Sequence, residues 1–167
     1  MTFDQAIVSC FKKYAVFKGR APRSEYWWFV LFIFLAEAAA VIVDVTAGTN
    51  FIADIVELAF LLPQLAVSVR RLHDINRSGW WIGGMYILLL VGLAVMAVAF
   101  GMSFQAGTPP QMSPIGGMVF ALFGLVAFIY GITLFIFTLT KGTRGPNNYG
   151  PDPLASPLSE AAMQPSH

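Results

Sequence analysis

The sequence predicts an all-α integral membrane protein with four transmembrane helices and an N-terminal amphipathic interfacial helix. Two observations support this fold class, a scarcity of charge and a series of four long apolar runs. Only 11% of the 167 residues are charged and 57% are hydrophobic, whereas an ordinary soluble domain carries about 25% charged residues. The polar side chains are therefore too few to cover a water-exposed globule of this length.

Residues 3–14 are predicted to form the amphipathic helix. Thr2 and Gln5 have the spacing of a capping box at its start. Apolar side chains recur at helical spacing while charged ones fall on other faces, and the apolar set is Phe3, Ile7, Cys10, Phe11 and Tyr14. The pattern leaves two placements open, one on the inner surface of the membrane and one packed on the cytoplasmic ends of the spanning helices.

Four apolar runs follow, and the predicted transmembrane helices cover residues 26–45, 51–69, 80–100 and 116–140. Each run is near or above the roughly 20 residues that a helix needs to cross about 30 Å of hydrocarbon. Four such helices in a chain of 167 residues cannot all lie inside a soluble protein. The first run is not interpreted as a signal peptide, because about 25 residues precede it and the apolar stretch continues beyond its alanines.

The basic residues predict the orientation of the chain. All ten lysines and arginines precede the first run, lie between the second and third, or follow the fourth. The other two connections, residues 47–50 and 101–114, contain none. The positive-inside rule places the basic side, and hence both termini, in the cytoplasm. Residues 1–153 are expected to form one membrane domain, and residues 154–167, rich in Pro, Ser and Ala, a disordered cytoplasmic tail.

The fourth predicted span contains a stripe of small residues. Gly117, Gly124 and Gly131 recur every seven residues, which brings them to nearly the same face of a helix. Such stripes let membrane helices approach closely. The stripe fits packing within one chain, in a homo-oligomer, or against another membrane protein.

The charged stretch RRLHDINRSGWW, residues 70–81, raises the question of a catalytic or metal site. The chain has two histidines, His73 and His167, and one cysteine, Cys10, too few for a metal phosphohydrolase or a multi-cysteine zinc site. His73 and Asp74 are adjacent and diverge by about 100° on a helix, unlike members of a triad. Neither a phosphate loop nor a nucleophile elbow is present. We expect no enzyme activity, metal or cofactor, and the net charge of +1 gives no reason to expect nucleic-acid binding.

Three stretches of the chain resemble the signatures of one family: FKGRAPRSEYWWF at 17–29, RRLHDINRSGWW at 70–81 and GTRGPNNYGPDP at 142–153. The family is the domain of unknown function 805 family of small bacterial membrane proteins. The stretches occur in the family's order, and the similarity covers residues 3–153. Asp44, late in the first span, also resembles a family feature. The resemblance implies a multi-pass protein of the bacterial inner (plasma) membrane and implies no activity.

A structural interpretation accounts for most of the charges in these stretches. The short connection after the first span makes the first two spans antiparallel neighbours, so the inner start of one lies level with the inner end of the other. Acidic and basic side chains at these ends also suit the helix dipoles. This hypothesis predicts two ion pairs, one joining Glu25 to Arg70 or Arg71 and one joining Asp74 to Arg20 or Arg23. It also predicts that the Gly-rich stretch at 142–153 folds beneath these pairs as a cap made of turns.

The same residues allow a second interpretation, the binding of an anionic lipid headgroup. Each basic residue near an anionic membrane surface gains about 1 kcal/mol, and phosphatidylglycerol and cardiolipin are the expected membrane lipids. The candidate residues for either role are Arg20, Arg23, Glu25, Arg70, Arg71, His73, Asp74 and Arg77.

Acidic residues within the predicted spans favour an alternative function, that of a small proton or cation transporter. These intramembrane carboxylates are Glu37, Asp44, Asp54 and Glu57. An ionised carboxylate near the bilayer centre costs roughly 2.5–3.5 kcal/mol, so acidic residues at that depth are commonly functional. The uncharged third and fourth spans, however, offer no matching polar lining. We therefore expect a non-enzymatic protein that organises or senses the membrane through lipid or protein contacts at a basic cytoplasmic rim.

The orientation gives a direct prediction. A reporter that is active only in the cytoplasm should be active when it is fused after His167, because the basic connections hold that end of the chain inside. A reporter that is active only outside the membrane should be silent at the same position. Activity of the second reporter instead of the first would contradict the predicted topology.

Overall fold

The computed structural model describes residues 1–105 and 114–155. Its helices, in chain order, are α1 Phe3–Lys12, α2 Arg23–Ala47, α3 Ile52–Asp74, α4 Trp80–Gln105 and α5 Pro114–Leu139. The helices α2 to α5 are each long and apolar enough to cross a membrane. Within the described ranges there is no β-strand, and an isolated β-bridge joins Asn147 to Gly150. The prediction of an all-α chain with four membrane-spanning helices is confirmed for this part of the chain.

Several helix ends differ from the predicted ones. The helix α2 begins at Arg23 rather than at 26, and α3 ends at Asp74 rather than at 69. The helix α4 continues beyond 100 to Gln105, α5 covers Pro114–Leu139, and α1 ends at Lys12 rather than at 14. Hydropathy marks only the apolar part of a helix, whereas the helical backbone of α3 continues through charged residues whose side chains are paired.

Part of the predicted organisation lies outside the described residues. The predicted disordered tail, 154–167, falls there except for Leu154 and Ala155, as do residues 106–113 of the connection between α4 and α5. The N–H of Ala155 donates a hydrogen bond to the carbonyl oxygen of Asp152 at 3.1 Å. The described chain therefore continues to 155 as a hydrogen-bonded turn.

The chain divides into two compact units. One comprises Met1–Gly79 and the chain from Thr138 onward, and the other comprises Trp80–Phe137. The first contains α1, α2, α3 and the segment after α5. The second contains α4 and most of α5.

In the first unit, α1 packs against both α2 and α3 through aromatic rings. Phe11 contacts Phe29 and Phe32 edge to face, with ring centroids 6.0 and 5.9 Å apart. Phe32 makes a similar contact with Phe60 of α3 at 5.5 Å. Each such pair contributes about 0.5–1.5 kcal/mol beyond the area it buries. The buried core around these rings consists of Cys10, Ala21, Phe29, Ile33 and Val67.

In the second unit, α4 and α5 approach closely at glycines of α4. Tyr130 donates a hydrogen bond from its hydroxyl to the carbonyl oxygen of Trp81 at 2.8 Å, and the two rings stack with centroids 5.6 Å apart. A Cβ added at Gly84 would collide with the Tyr130 hydroxyl, and one added at Gly92 would collide with the ring of Phe123. A side chain at either position would therefore displace an aromatic side chain of α5.

The predicted glycine stripe of α5 lies largely outside this contact between α4 and α5. A Cβ added at Gly117 or Gly124 would meet no atom of the described chain within 4 Å, and one at Gly131 would lie 3.7 Å from Met85 Cε. Among the described residues, the close approach within this unit is made at Gly84 and Gly92 of α4 rather than at Gly117 and Gly124 of α5. Packing of the stripe, within the chain or between chains, stays a prediction.

Asp44 fixes the connection between α2 and α3. Its Oδ2 accepts the N–H of Ala53 at 2.8 Å, and its Oδ1 accepts the N–H of Ile52 at 3.2 Å and the hydroxyl of Thr49 at 2.6 Å. These backbone donors belong to the first turn of α3 and have no acceptor within the helix. Gly48 ends α2 with φ of 67°, a left-handed conformation that glycine adopts without strain.

We predict that Asp44→Ala lowers the thermal unfolding midpoint of the detergent-solubilised protein by several degrees. The substitution removes the acceptor for the donors at the start of α3. Glu57→Ala serves as the control, since the Glu57 side chain is exposed and lies beyond the first turn of α3, and should leave the midpoint unchanged. Equal midpoints for Asp44→Ala and wild type would show that the cap contributes nothing.

Candidate functional site

The last turn of α3 carries charged side chains that are buried, which is rare for arginine and aspartate. Arg70 and Arg71 are 1% and 0% exposed, and Asp74 is 3% exposed. Burying an ion is costly unless a partner of opposite charge and further hydrogen bonds compensate. Each of these side chains has such a partner, and together with Arg20 and Glu25 they form what we call the charge cluster.

Glu25, in the first turn of α2, forms one half of the charge cluster. Its Oε1 accepts a hydrogen bond from Arg70 Nη1 at 2.6 Å. The same oxygen accepts from Ser9 Oγ at 3.1 Å and lies 3.9 Å from Cys10 Sγ, both on α1. One carboxylate therefore joins three helices. Of the two partners predicted for Glu25, the structure places Arg70 beside it and Arg71 elsewhere.

Asp74 forms the other half of the charge cluster. Its Oδ2 accepts from Arg71 Nη1 at 2.5 Å, and its Oδ1 lies 3.0 Å from Arg20 Nε and 2.9 Å from Arg20 Nη2. Two arginines thus share one buried carboxylate. Arg23, the other predicted partner of Asp74, instead donates from Nη1 to the carbonyl oxygen of Leu139 at 3.1 Å.

Residues 142–153, which we call the C-terminal segment, fold against the charge cluster. The N–H of Thr143 donates to the carbonyl oxygen of Asp74 at 2.9 Å. Arg20 donates from Nη2 to the carbonyl oxygen of Thr143 at 2.6 Å and from Nη1 to that of Gly145 at 2.7 Å. The carbonyls of the C-terminal segment thereby satisfy guanidinium hydrogens that the carboxylate does not reach.

His73 lies outside the ion pairs and holds the C-terminal segment by other contacts. Its ring stacks on Tyr149 with centroids 3.9 Å apart and planes inclined by 5°. Its Nδ1 lies 3.1 Å from the carbonyl oxygen of Gly19, and its own carbonyl accepts from Asn147 Nδ2 at 2.9 Å. Among the described residues, no group of three or more His, Cys, Asp or Glu side chains is placed to hold a metal ion.

The structure separates the predicted basic residues into two classes. Arg20, Arg70 and Arg71 are buried in ion pairs, whereas Arg23 and Arg77 are exposed. A ligand that arrives from outside therefore meets Arg23 or Arg77 rather than the buried three. The sequence placed these five arginines in one group, because charge alone does not indicate which side chains are buried. Neighbouring positions at one helix end can differ in burial.

Next to the charge cluster, the start of α2 and the C-terminal segment enclose a pocket of 580 Å³, which we call the polar pocket. Its lining includes Asp74 and the exposed cations Arg23, Lys141 and Arg144. The sequence reasoning did not select Lys141 and Arg144 as site residues. The signal that could have found them was their place among the ten basic residues on one side of the membrane.

The carboxylates of the transporter alternative are not gathered into one site. Asp44 caps α3 through its hydrogen bonds to the first turn of that helix. Glu37 is half-buried on α2, and Asp54 and Glu57 are exposed on α3. Within the described ranges, this arrangement offers no shared polar path.

Comparison with known proteins identifies the family. A family model described as a protein of unknown function, DUF805, matches residues 14–113. The chain belongs to this family. The resemblance of the three sequence stretches to this family is thereby confirmed. The matched residues include α2, α3 and all five residues of the charge cluster, and they do not include the C-terminal segment.

Three relatives from Escherichia coli strain K12 match over most of their length. Inner membrane protein YhaI is 31% identical over 89% of this chain and 95% of its own. Inner membrane protein YhaH is 33% identical over 60% of this chain and 84% of its own. Uncharacterized protein YiiR is 32% identical over 81% of this chain and 84% of its own. No solved structure matches the chain.

These relatives and the four apolar helices make the chain a membrane protein of a bacterial family whose function is unknown. Two of the relatives are named as inner membrane proteins. The names state a location and no activity.

The Glu25–Arg70 pair can be tested by a double-mutant cycle. Glu25→Met should destabilise the folded protein by about 3–5 kcal/mol, because Arg70 then stays buried without its carboxylate. The double variant Glu25→Met/Arg70→Met should recover most of this loss, since Arg70 Nε and Nη2 have no hydrogen-bond partner in the described chain. The free energy of unfolding in detergent measures each step.

Lys18→Met, at an exposed position, is the control for this cycle and should leave the stability unchanged. If the losses of the two single variants simply add in the double variant, Glu25 and Arg70 contribute no coupling energy and do not stabilise the helix ends as a pair.

The thiol of Cys10 provides a second test of this packing. Burial, followed by the charge of Glu25, raises the pKa of Cys10 to about 12, so at pH 8 almost all of the thiol is protonated and unreactive. We predict that maleimide modifies the folded protein at pH 8 orders of magnitude more slowly than the unfolded protein. The control is Ala15→Cys in a Cys10→Ser background, which places the thiol at an exposed position. Equal rates for both cysteines would contradict the burial.

Proposed function

We propose that this protein is a non-enzymatic organiser of the membrane that binds anionic lipid through a basic cytoplasmic rim. The observation that supports the proposal is that some basic residues are buried in ion pairs and others are exposed. Those of the charge cluster are buried in ion pairs, and Arg23, Lys141 and Arg144 stay exposed around one pocket. Exposed cations at the end of an apolar helix lie where lipid phosphates are found.

The proposal includes the orientation of the chain, with both termini in the cytoplasm of a bacterial cell. The concentration of all ten basic residues on one side of the four spans supports it. The cytoplasmic leaflet is also the one with a negative surface potential, and each basic residue near it gains about 1 kcal/mol.

The proposal also places α1 at the inner membrane interface, packed against α2 and α3. Its support is the exposed apolar surface that α1 and the following residues retain after packing. Val8 is 51% exposed, Phe11 41% and Phe17 41%. Apolar side chains in these positions bury themselves in the headgroup and acyl boundary when lipid is present.

The experiment is native mass spectrometry of protein extracted from vesicles that contain equal amounts of phosphatidylglycerol and phosphatidylcholine. We predict that retained lipid is enriched in phosphatidylglycerol, because the rim carries an excess of exposed positive charge. The control is Asp54→Asn/Glu57→Gln, which removes two charges at positions away from the basic residues. It should preserve the enrichment in phosphatidylglycerol. Equal retention of the two lipids by wild type would contradict the proposed function.

A further inference from the structure

We infer that the polar pocket and the apolar groove beside it form one site for a single anionic phospholipid, with its phosphate in the pocket and an acyl chain in the groove. This inference rests on the proposed function and adds to it a defined site. It requires that the pocket attract an anion, that the groove accept an acyl chain, and that the two be continuous.

The polar pocket has an excess of positive charge. Arg23, Lys141 and Arg144 line it together with the carboxylates of Asp74 and Asp152. Asp74 is already paired with two buried arginines of the charge cluster. Counting these two, five cationic side chains accompany two carboxylates, which leaves an excess of three positive charges. Such a field favours an anion over a neutral or cationic group.

Asp152 does not compete for the ligand, because each of its two oxygens already accepts a hydrogen bond from a backbone N–H group. It accepts the N–H of Leu154 at 2.9 Å and that of Gly145 at 3.0 Å. These backbone donors hold the pKa of Asp152 below its ordinary value. Both carboxylates of the pocket thus have internal partners, and the exposed cations remain for a ligand.

The apolar groove, of 390 Å³, lies along the start of α2. Trp27, Trp28 and Leu31 form it together with Leu139 at the end of α5. Trp28 and Leu31 are 40% and 39% exposed, and both belong to a helix that is long and apolar enough to span the membrane. Tryptophan prefers the boundary between headgroups and hydrocarbon, so the groove begins at the depth where acyl chains begin.

The pocket and the groove share Arg23 and Ser24. The hydrogen bond from Arg23 Nη1 to the carbonyl oxygen of Leu139 holds the guanidinium at this junction, and the side chain is otherwise exposed. A ligand that fills both cavities must therefore be charged at one end and apolar at the other. An arginine at the junction suits a phosphate diester, which accepts two parallel hydrogen bonds from a guanidinium.

An anionic phospholipid fits this arrangement better than other amphiphiles. A free phosphate would occupy the pocket and leave the groove empty. A zwitterionic lipid such as phosphatidylcholine would bring its ammonium group into a pocket with surplus positive charge. Both volumes lie in the range of about 300–1,000 Å³ that small-molecule sites occupy.

The test compares matched pairs of substitutions, with the phosphatidylglycerol affinity of detergent-solubilised protein measured by native mass spectrometry. Arg23→Gln/Lys141→Gln should weaken the affinity about tenfold or more, because two cations leave the pocket. Lys12→Gln/Lys18→Gln removes the same charge from exposed positions outside the pocket and should change the affinity by less than about twofold. Protection of Cys10 from maleimide verifies that every variant is folded.

A second pair of variants tests whether an acyl chain lies in the groove. Leu31→Trp should fill the groove and weaken phosphatidylglycerol binding, whereas Leu35→Trp, exposed on the same helix but outside the groove, should not. Inorganic phosphate should compete poorly with the lipid, because it gains nothing from the groove.

The outcomes separate this inference from the proposed function. Equal weakening by the two pairs of basic-residue substitutions would overturn the defined site and leave a rim that binds anionic lipid diffusely. Full competition by inorganic phosphate, with no effect of Leu31→Trp, would overturn the acyl chain part and leave an anion pocket. A wild-type protein without preference for phosphatidylglycerol would overturn both proposals.

Discussion

The structure of the first unit depends on one buried carboxylate, that of Asp74. It pairs with Arg71 of its own helix and with Arg20 of the loop before α2, and the backbone carbonyl oxygen of Asp74 receives the N–H of Thr143 from the C-terminal segment. Three parts of the chain that are distant in sequence thereby meet at the end of α3. A Cβ at Gly142 would collide with the Asp74 carboxylate, so the segment approaches too closely for any side chain there.

This arrangement divides the basic residues into two roles. The buried arginines hold the chain together, because each pairs with a carboxylate, and Arg20 and Arg71 also donate hydrogen bonds to backbone carbonyls. Arg23, Lys141 and Arg144 do not contribute to these ion pairs and are exposed. The buried charges fix the geometry of the helix ends, and the exposed charges are those that the proposed function assigns to anionic lipid. The same fold thus carries both a structural cluster and a candidate ligand site.

The sequence was sufficient for the four spans, because an apolar run long enough to cross a bilayer rarely occurs outside a transmembrane helix. The sequence also placed Glu25 and Asp74 at neighbouring helix ends. It did not indicate whether Arg70 or Arg71 is the partner of Glu25, because neighbouring side chains on a helix point in directions that differ by about 100°. The sequence predicted residues 142–153 to fold beneath the charged helix ends, but it did not predict the polar pocket. The pocket depends on the detailed path of the C-terminal segment, which is held by hydrogen bonds of Arg20 to backbone carbonyls. Such bonds leave no trace in composition or periodicity.

The most direct measurement of the central claim is hydrogen exchange at the Thr143 amide, which donates to the carbonyl oxygen of Asp74, in protein held in a lipid bilayer. If the Asp74 carboxylate organises the unit, Asp74→Asn, which removes the charge paired with Arg20 and Arg71 but keeps the backbone acceptor, should accelerate exchange at Thr143 and leave the amides in the middle of α2 protected. If the amide of Thr143 exchanges at the wild-type rate in this variant, the C-terminal segment is held by something other than the buried carboxylate and its arginines, and the central claim is wrong.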